Sequence, residues 1–245
     1  MGLANVCKAA ALLTILLAFQ HSRATELSTS LNTTEIKTAV ELLANGTAHR
    51  PWTVHGLPGG SLGLDAGFES TFVLREEIGP MGDGNAVVPR VVPVPRFWFS
   101  WELPADFMLS ASMAPGMLFD GITSYGAGLQ WIFDRKTDWA MTSSTLFSYT
   151  IASAFGDLNA QTFTLAGQVS RDLLLWQPYA SAGFQVVRAS VESRVVEPGV
   201  STSPYWSLAP HITLGARIDF LAKLSVQLNL TYLRPSFAVL LSTSF

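Results

Sequence analysis

The sequence predicts an all-β protein, a transmembrane antiparallel β-barrel of about ten strands with one short helix ahead of it. Three observations lead there. From about residue 60 onward the apolar residues recur with a period of two, the signature of strands with one apolar and one polar face. Charge is scarce, at 13% of residues against 49% hydrophobic, and the mean hydropathy of +0.31 is high for a cytosolic globule. The alternation also runs undiminished into "SFAVLLSTSF", which ends on Phe245, where a soluble chain usually frays into a polar tail.

The first 24 residues read as a secretory signal peptide. Lys8 supplies the positive charge, Ala9 to Phe19 form the apolar run, and Ser22 and Ala24 give a small-residue pattern with the cut before Thr25. The run is too short for a spanning helix, which needs about 20 apolar residues. Cys7 is the only cysteine and lies inside this segment, so the mature chain must find its stability without disulfides. A closed sheet is one such source. Removing Lys8 and Arg23 takes Lys+Arg from 15 to 13 against 18 Asp+Glu, a net charge of 13 − 18 = −5. With no basic run, nucleic acid is excluded as a partner.

The organisation that follows is a signal peptide over 1–24, an N-terminal helical segment over 25–60 and a barrel over 61–245. Within the middle segment, "NTTEIKTAVELLANG" reads as a helix. Asn32 with Glu35 three residues on makes a capping-box start, and Ile36, Val40 and Leu43 share a face. Gly46 is the expected left-handed stop. The helix over 33–45 is expected as a plug in the lumen, at the periplasmic mouth or outside the barrel.

Ten strands are expected at about 61–74, 96–103, 105–115, 122–134, 138–154, 159–171, 177–192, 205–219, 222–233 and 236–245. The clearest is "LSVQLNLTY", where Leu224, Val226, Leu228, Leu230 and Tyr232 oppose Ser225, Gln227, Asn229 and Thr231. "HITLGARIDF" and "QTFTLAGQVS" repeat the pattern. The stretch "VVPRVVPV" at 88–95 is excluded from the second strand, because proline removes a ladder donor.

Periodicity does not say which face is inside, but other features do. The strands run about 10 to 16 residues, longer than the usual soluble strand of about 5–6 and enough for a tilted membrane crossing. The even connections, at "ELPAD", "DRKTD", "WQP" and "FLAK", are short, whereas 75–95 and 193–204 are long. Short turns on one side and longer loops on the other suit a barrel in lipid. Trp98, Trp101, Trp131, Trp139, Trp176 and Trp206 lie near strand ends, where amphipathic rings favour the interface.

The last strand carries a resemblance as well. Phe237, Val239, Leu241 and Thr243 share one face with the terminal Phe245. Together with the signal peptide and the strand series, this resembles the outer-membrane β-barrels of Gram-negative bacteria. The resemblance implies that Phe237, Val239, Leu241 and Phe245 form an insertion signal read by the barrel-insertion machinery, and that the last strand pairs with the first. It implies export to the cell outer membrane, with outer-membrane lipid as the solvent of the apolar face.

No catalytic, cofactor or metal site emerges. His49 and His55 flank "HRPWTVH" without an acidic or cysteine companion, and His211 has no serine at a lipase-type spacing. "GGSLGLDAG" lacks the Lys-Ser/Thr of a phosphate loop. The polar faces do carry charge: Asp65, Glu69 and Arg75 on the first strand, Arg217 and Asp219 on the eighth. Buried charges need partners, so these five are expected to form an interior ion-pair network that plugs a narrow barrel. Val73, Ile132, Leu146, Val187 and Val191 fall on the same face, which implies register slips or an apolar interior pocket. Ala127, Ala180 and Ala182 fall on the lipid face, where small side chains let surfaces approach. The expected function is a structural or interaction barrel, possible as a homo-oligomer enclosing lipid. The alternatives are a barrel binding or transporting a small hydrophobic molecule and, last, a lipid-modifying enzyme using His211.

Overall fold

The computed structural model of the chain describes residues 31–50, 52, 63–74, 91–116, 121–136, 141–173, 176–202, 204–219, 222–232 and 234–245. The expected signal peptide and its cut before Thr25, together with His55, Ser61, Arg75, Trp139 and Phe220, lie outside these residues.

One helix, α1 (Thr33–Thr47), precedes ten strands: β1 (Leu64–Leu74), β2 (Val91–Leu103), β3 (Phe107–Ala114), β4 (Ile122–Lys136), β5 (Met141–Ala154), β6 (Leu158–Arg171), β7 (Trp176–Val191), β8 (Tyr205–Asp219), β9 (Lys223–Thr231) and β10 (Arg234–Ser244). Each strand pairs antiparallel with its sequence neighbours, and β1 pairs with β10, so the sheet closes into a barrel. At the seam Asp65 faces Ser244 and Val73 faces Ser236, and the Phe245 N–H donates to the Leu64 carbonyl at 2.9 Å. The chain end is therefore part of the ladder, and no sheet edge is left open.

The second strand begins earlier than the sequence suggests, at Val91, and contains Pro93 and Pro95. The reason is local. β2 pairs with β1 from Val91 to Trp101 but meets β3 only from Phe97 onward, opposite Met113. Both prolines stand where β2 has a neighbour on one side only, so a missing N–H costs no ladder bond on the open side.

The faces are inverted relative to a soluble protein. Ser100, Ser110, Ser124, Gln130, Ser148, Thr150, Thr213, Gln227 and Asn229 are buried inside. Phe99, Leu129, Phe147, Leu165, Phe184, Leu214 and Leu228 are exposed outside. Such an apolar exterior is costly in water and matches hydrocarbon. Trp101, Trp131, Trp176 and Trp206 point outward near strand ends. Trp98 does not: it points into the lumen, 2% exposed, against Trp52 and Leu240.

Two faces of the barrel can be distinguished. On one, the turn face, stand the start of β1 at Leu64, the turn 104–106 between β2 and β3, the strand ends at Lys136 and Met141, Arg171 and Trp176, and Asp219 and Lys223, and the end of β10 at Ser244. On the other, the loop face, stand the strand ends at Leu74 and Val91, Ala114 and Ile122, Ala154 and Leu158, Val191 and Tyr205, and Thr231 and Arg234.

Candidate functional site: the occupied lumen

The helix sits inside the barrel at its loop face. Its start is built as the sequence implies: Asn32 Oδ1 accepts from the Thr34 and Glu35 N–H groups at 2.9 and 3.1 Å, and Glu35 Oε2 accepts from the Asn32 N–H at 2.9 Å. Just ahead, Leu31 is stitched to the β7–β8 connection. Its N–H donates to the Val195 carbonyl at 2.8 Å, and its carbonyl accepts from Glu197 at 3.1 Å.

From there the helix lays Ile36, Ala39, Val40, Leu43 and Ala44 against Ala152, Ala154, Leu158, Ala160, Val187 and Ala189 of the wall. Alanine on the wall leaves the space that a helix needs, and Val40 is fully buried. Burying one valine of this kind is worth about 1.5–3 kcal/mol. The apolar lumen residues find their explanation here: Val187 and Val191 pack with the helix cluster, and Val73 lies against Gly46. They form the seat of α1. Leu146 lines a small cavity deeper in the lumen, and Ile132 lies at a register shift between β4 and β5.

Gly46 is not the left-handed stop, since α1 runs on to Thr47. Its role is close packing: a Cβ there would stand 3.1 Å from Val73 Cγ2 and 3.2 Å from Val94 Cγ2. The helix ends through other partners. Thr47 Oγ1 donates to the Leu43 carbonyl at 2.7 Å, and Arg96 donates to the Thr47 and Ala48 carbonyls at 2.6 and 2.8 Å.

Beyond the helix the chain continues down the lumen in extended form, held by wall side chains. The His49 N–H donates to Thr150 Oγ1 at 2.7 Å, and Ser148 Oγ donates to the His49 carbonyl at 2.9 Å. The His49 ring lies 2.7 Å from Ser112 Oγ through Nδ1 and 2.7 Å from Ser110 Oγ through Nε2. Arg50 donates to Thr71 Oγ1 at 3.0 Å and to Ser236 Oγ at 3.3 Å, and also to the Asn45 carbonyl. Trp52 then packs with Trp98, Ala238 and Leu240. Among the described residues a cavity beside His49 and Arg50 offers about 20 Å³ for the centre of a water molecule. That is room for water, not for a solute.

The expected interior charges divide into separate groups. Glu69 pairs with Arg96, both fully buried, and accepts from Thr71 Oγ1 at 3.1 Å. Asp65 accepts from Lys223 Nζ at 2.8 Å near the turn face, and Arg217 binds Asp219 through Nε at 2.7 Å and Nη2 at 2.8 Å. Asp219 is the register partner of Lys223, so these four charges adjoin one another. Glu41 of α1 accepts from Arg234 Nε at 3.2 Å. Arg96, Lys223 and the Glu41–Arg234 pair are the ion-pair members that sequence reasoning missed, as it missed Arg50 among its neutral partners. Arg96 is the first residue of the expected second strand, 96–103, and was not recognised as an interior charge there, and Arg50 lies outside any periodic element.

Phe237 and Phe245 are exposed on the exterior face, which Val239 and Leu241 share in part-buried positions. Ala127, Ala180 and Ala182 also face outward, among larger apolar neighbours. His211 is buried in the lumen, with Nδ1 2.7 Å from Thr231 Oγ1 and Nε2 3.1 Å from Thr213 Oγ1. Both of its ring nitrogens are engaged by threonines, and among the described residues no carboxylate is bonded to the ring as in a Ser-His-acid triad. Among the described residues no cluster of three His, Cys, Asp or Glu side chains could hold a metal ion.

No family model matches the sequence, and no curated protein matches it. Solved structures do resemble it. A KdgM porin is 10% identical, with 74% of this chain and 99% of that one covered at a TM-score of 0.38. Ail, the attachment invasion locus protein of Yersinia pestis, is 12% identical over 73% of this chain and 93% of its own, at 0.31. The beta domain of the Bordetella autotransporter BrkA is 13% identical over 74% and 99%, at 0.43. Likeness at these levels does not reach beyond barrel architecture, and functional argument rests on this chain's own residues. In that architecture the chain resembles Gram-negative outer-membrane β-barrels.

Proposed function

We propose that this chain is a small, non-enzymatic outer-membrane β-barrel, closed by its own N-terminal segment, with a structural or interaction role. The observation that carries the reading is the occupation of the lumen: from Thr38 to Arg50 every residue is buried inside the barrel. A conducting porin needs an aqueous path, and here the path is filled by a helix, two guanidinium groups and a hydrogen-bonded imidazole. The apolar lining that would suit a hydrophobic cargo is covered by α1, so such a cargo would have to displace the helix. His211 and His49 are both sequestered from any substrate.

The membrane location is supported by the inverted faces and the outward tryptophans. Self-association belongs to the same proposal, since Ala127, Ala180 and Ala182 lie on the exterior, where small residues permit close approach.

The test has two parts. The full-length chain should be recovered from outer membranes as a heat-modifiable band, and liposomes carrying it should show no swelling with small sugars. Recovery as a soluble protein without detergent would overturn the location, and sugar-driven swelling would overturn the closed lumen. A detergent-extracted mass measurement reads protomer number and bound lipid together, and a bare monomer would remove self-association.

A further inference from the structure

We infer that the lumen is a conduit for the chain's own N-terminal polypeptide, whose upstream end opens onto the loop face, opposite the face where the strands begin and end. The inference rests on the outer-membrane reading above and adds a direction to it.

Direction comes from the order of contacts along the segment. Leu31 is hydrogen-bonded to the 192–204 connection on the loop face. Asn45 Nδ2 donates to the carbonyl of Arg234, the first residue of β10, at 3.3 Å, also toward that face. His49 meets the middle of β3 and β5, and Trp52 meets Trp98 and Leu240 further on. The Gly63 carbonyl then accepts from Glu102 at 3.0 Å on the turn face, where β1 begins. The described part of the segment therefore enters at the loop face and reaches Trp52 inside the barrel, and Gly63 stands at the turn face. Exposure follows the same order: Thr33, Thr34 and Lys37 are exposed at the loop-face mouth, and burial is continuous after Lys37.

The kind of contact points to a conduit. Where the segment is extended, the wall holds its main chain: the N–H and carbonyl of His49 and the carbonyls of Thr47 and Ala48 are all taken by wall side chains. A polypeptide crossing a membrane must have its peptide groups satisfied without bulk water. Most of the lining from β3 to β9 is uncharged serine, threonine, glutamine and asparagine. Such side chains both donate and accept, so they can serve peptide groups whatever residue carries them. With the turn face inside and the loop face outside, residues 25–30, which the expected signal-peptide cut leaves ahead of Leu31, are delivered to the cell exterior together with the exposed first turn of α1.

Single-cysteine variants of the full-length chain test this with a membrane-impermeant maleimide, applied to intact cells and again after permeabilisation. Thr34→Cys reports the mouth, Lys37→Cys repeats it away from the cap, Glu197→Cys marks the loop face and Asp172→Cys the turn face. Labelling is read only in the heat-modifiable band, with the unaltered chain as background. The expected result is full labelling at 34, 37 and 197 on intact cells, and at 172 only after permeabilisation. Labelling at 197 on intact cells, but at 34 and 37 only after permeabilisation, would overturn the inference and leave the outer-membrane reading standing. Labelling at 172 alone on intact cells would invert the direction and overturn it too. A chain absent from the outer-membrane fraction would overturn both.

Discussion

The imidazole of His49 occupies the space that a side chain at Gly128 would need. A Cβ built on Gly128 would stand 2.9 Å from His49 Cδ2, closer than real Cβ contacts come. Gly126, two residues earlier on the same face of β4, is in the same position: its Cβ would lie 2.5 Å from His49 Cβ. The two glycines make a flat slot in the wall, and the serines of β3 hold the ring in it.

Glycine inside a strand is ordinarily a weakness that alanine repairs. At position 128 the sign should reverse. Gly128→Ala is expected to destabilise the plugged barrel by about 1–3 kcal/mol, the usual range for overpacking. In urea unfolding from lipid vesicles, His49→Ala should relieve most of that penalty, because two of the close atoms belong to the ring and the third, Ser110 Oγ at 2.9 Å, is free to turn away once its ring partner is gone. Equal penalties for Gly128→Ala with and without His49→Ala would remove the slot from the account.

The buried charges should differ in cost by their depth. Glu69 is fully buried with Arg96, and Arg50, nearby, donates only to neutral groups. Glu69→Gln leaves buried guanidinium charge without its carboxylate and should cost about 3–5 kcal/mol. Asp65 and Lys223 keep 16% and 12% exposure near the turn face, so water can replace either partner. Asp65→Asn should cost less than Glu69→Gln, because the pair keeps some contact with water. The same urea midpoints read both, and equal losses would contradict the ranking.

Closure by the helix and closure by strand pairing should be separable. Val40 is fully buried in the apolar cluster between α1 and the wall, whereas the barrel ladder needs no residue of α1. Val40→Asp buries an unpaired carboxylate, a cost of several kcal/mol, and should unseat the helix. The heat-modifiable band should survive while liposomes become permeable to small sugars. Loss of the band itself would show that the wall depends on its plug.

Phe245 is half exposed and contributes one main-chain bond to the seam. Deleting it should lower the amount of barrel in the outer membrane far more than it lowers the urea midpoint of the barrel that does assemble. Equal losses in both would make the residue structural and end its reading as part of an insertion signal.

The wall was legible in the sequence because a strand's period of two survives wherever one face meets lipid. Ten strands, their antiparallel order and the seam between β1 and β10 follow from that pattern and from the end at Phe245. The start of β2 was not legible, since whether Pro93 and Pro95 fit depends on how short β3 is. The contents of the lumen were only partly so. Ile36, Val40 and Leu43 announce an apolar helix face, but the wall residues that receive it, Val187 and Val191, look like errors of register until the helix is in place. Arg50 and the His49 slot leave no periodic trace, because each is defined by contacts across distant strands.

The measurement that bears most directly on the closed lumen is single-channel recording of the full-length chain in planar bilayers, with Val40→Asp recorded beside it. A flat baseline for the unaltered chain and discrete openings for the variant are the predicted pair. Stable, long-lived openings from the unaltered chain would contradict the account.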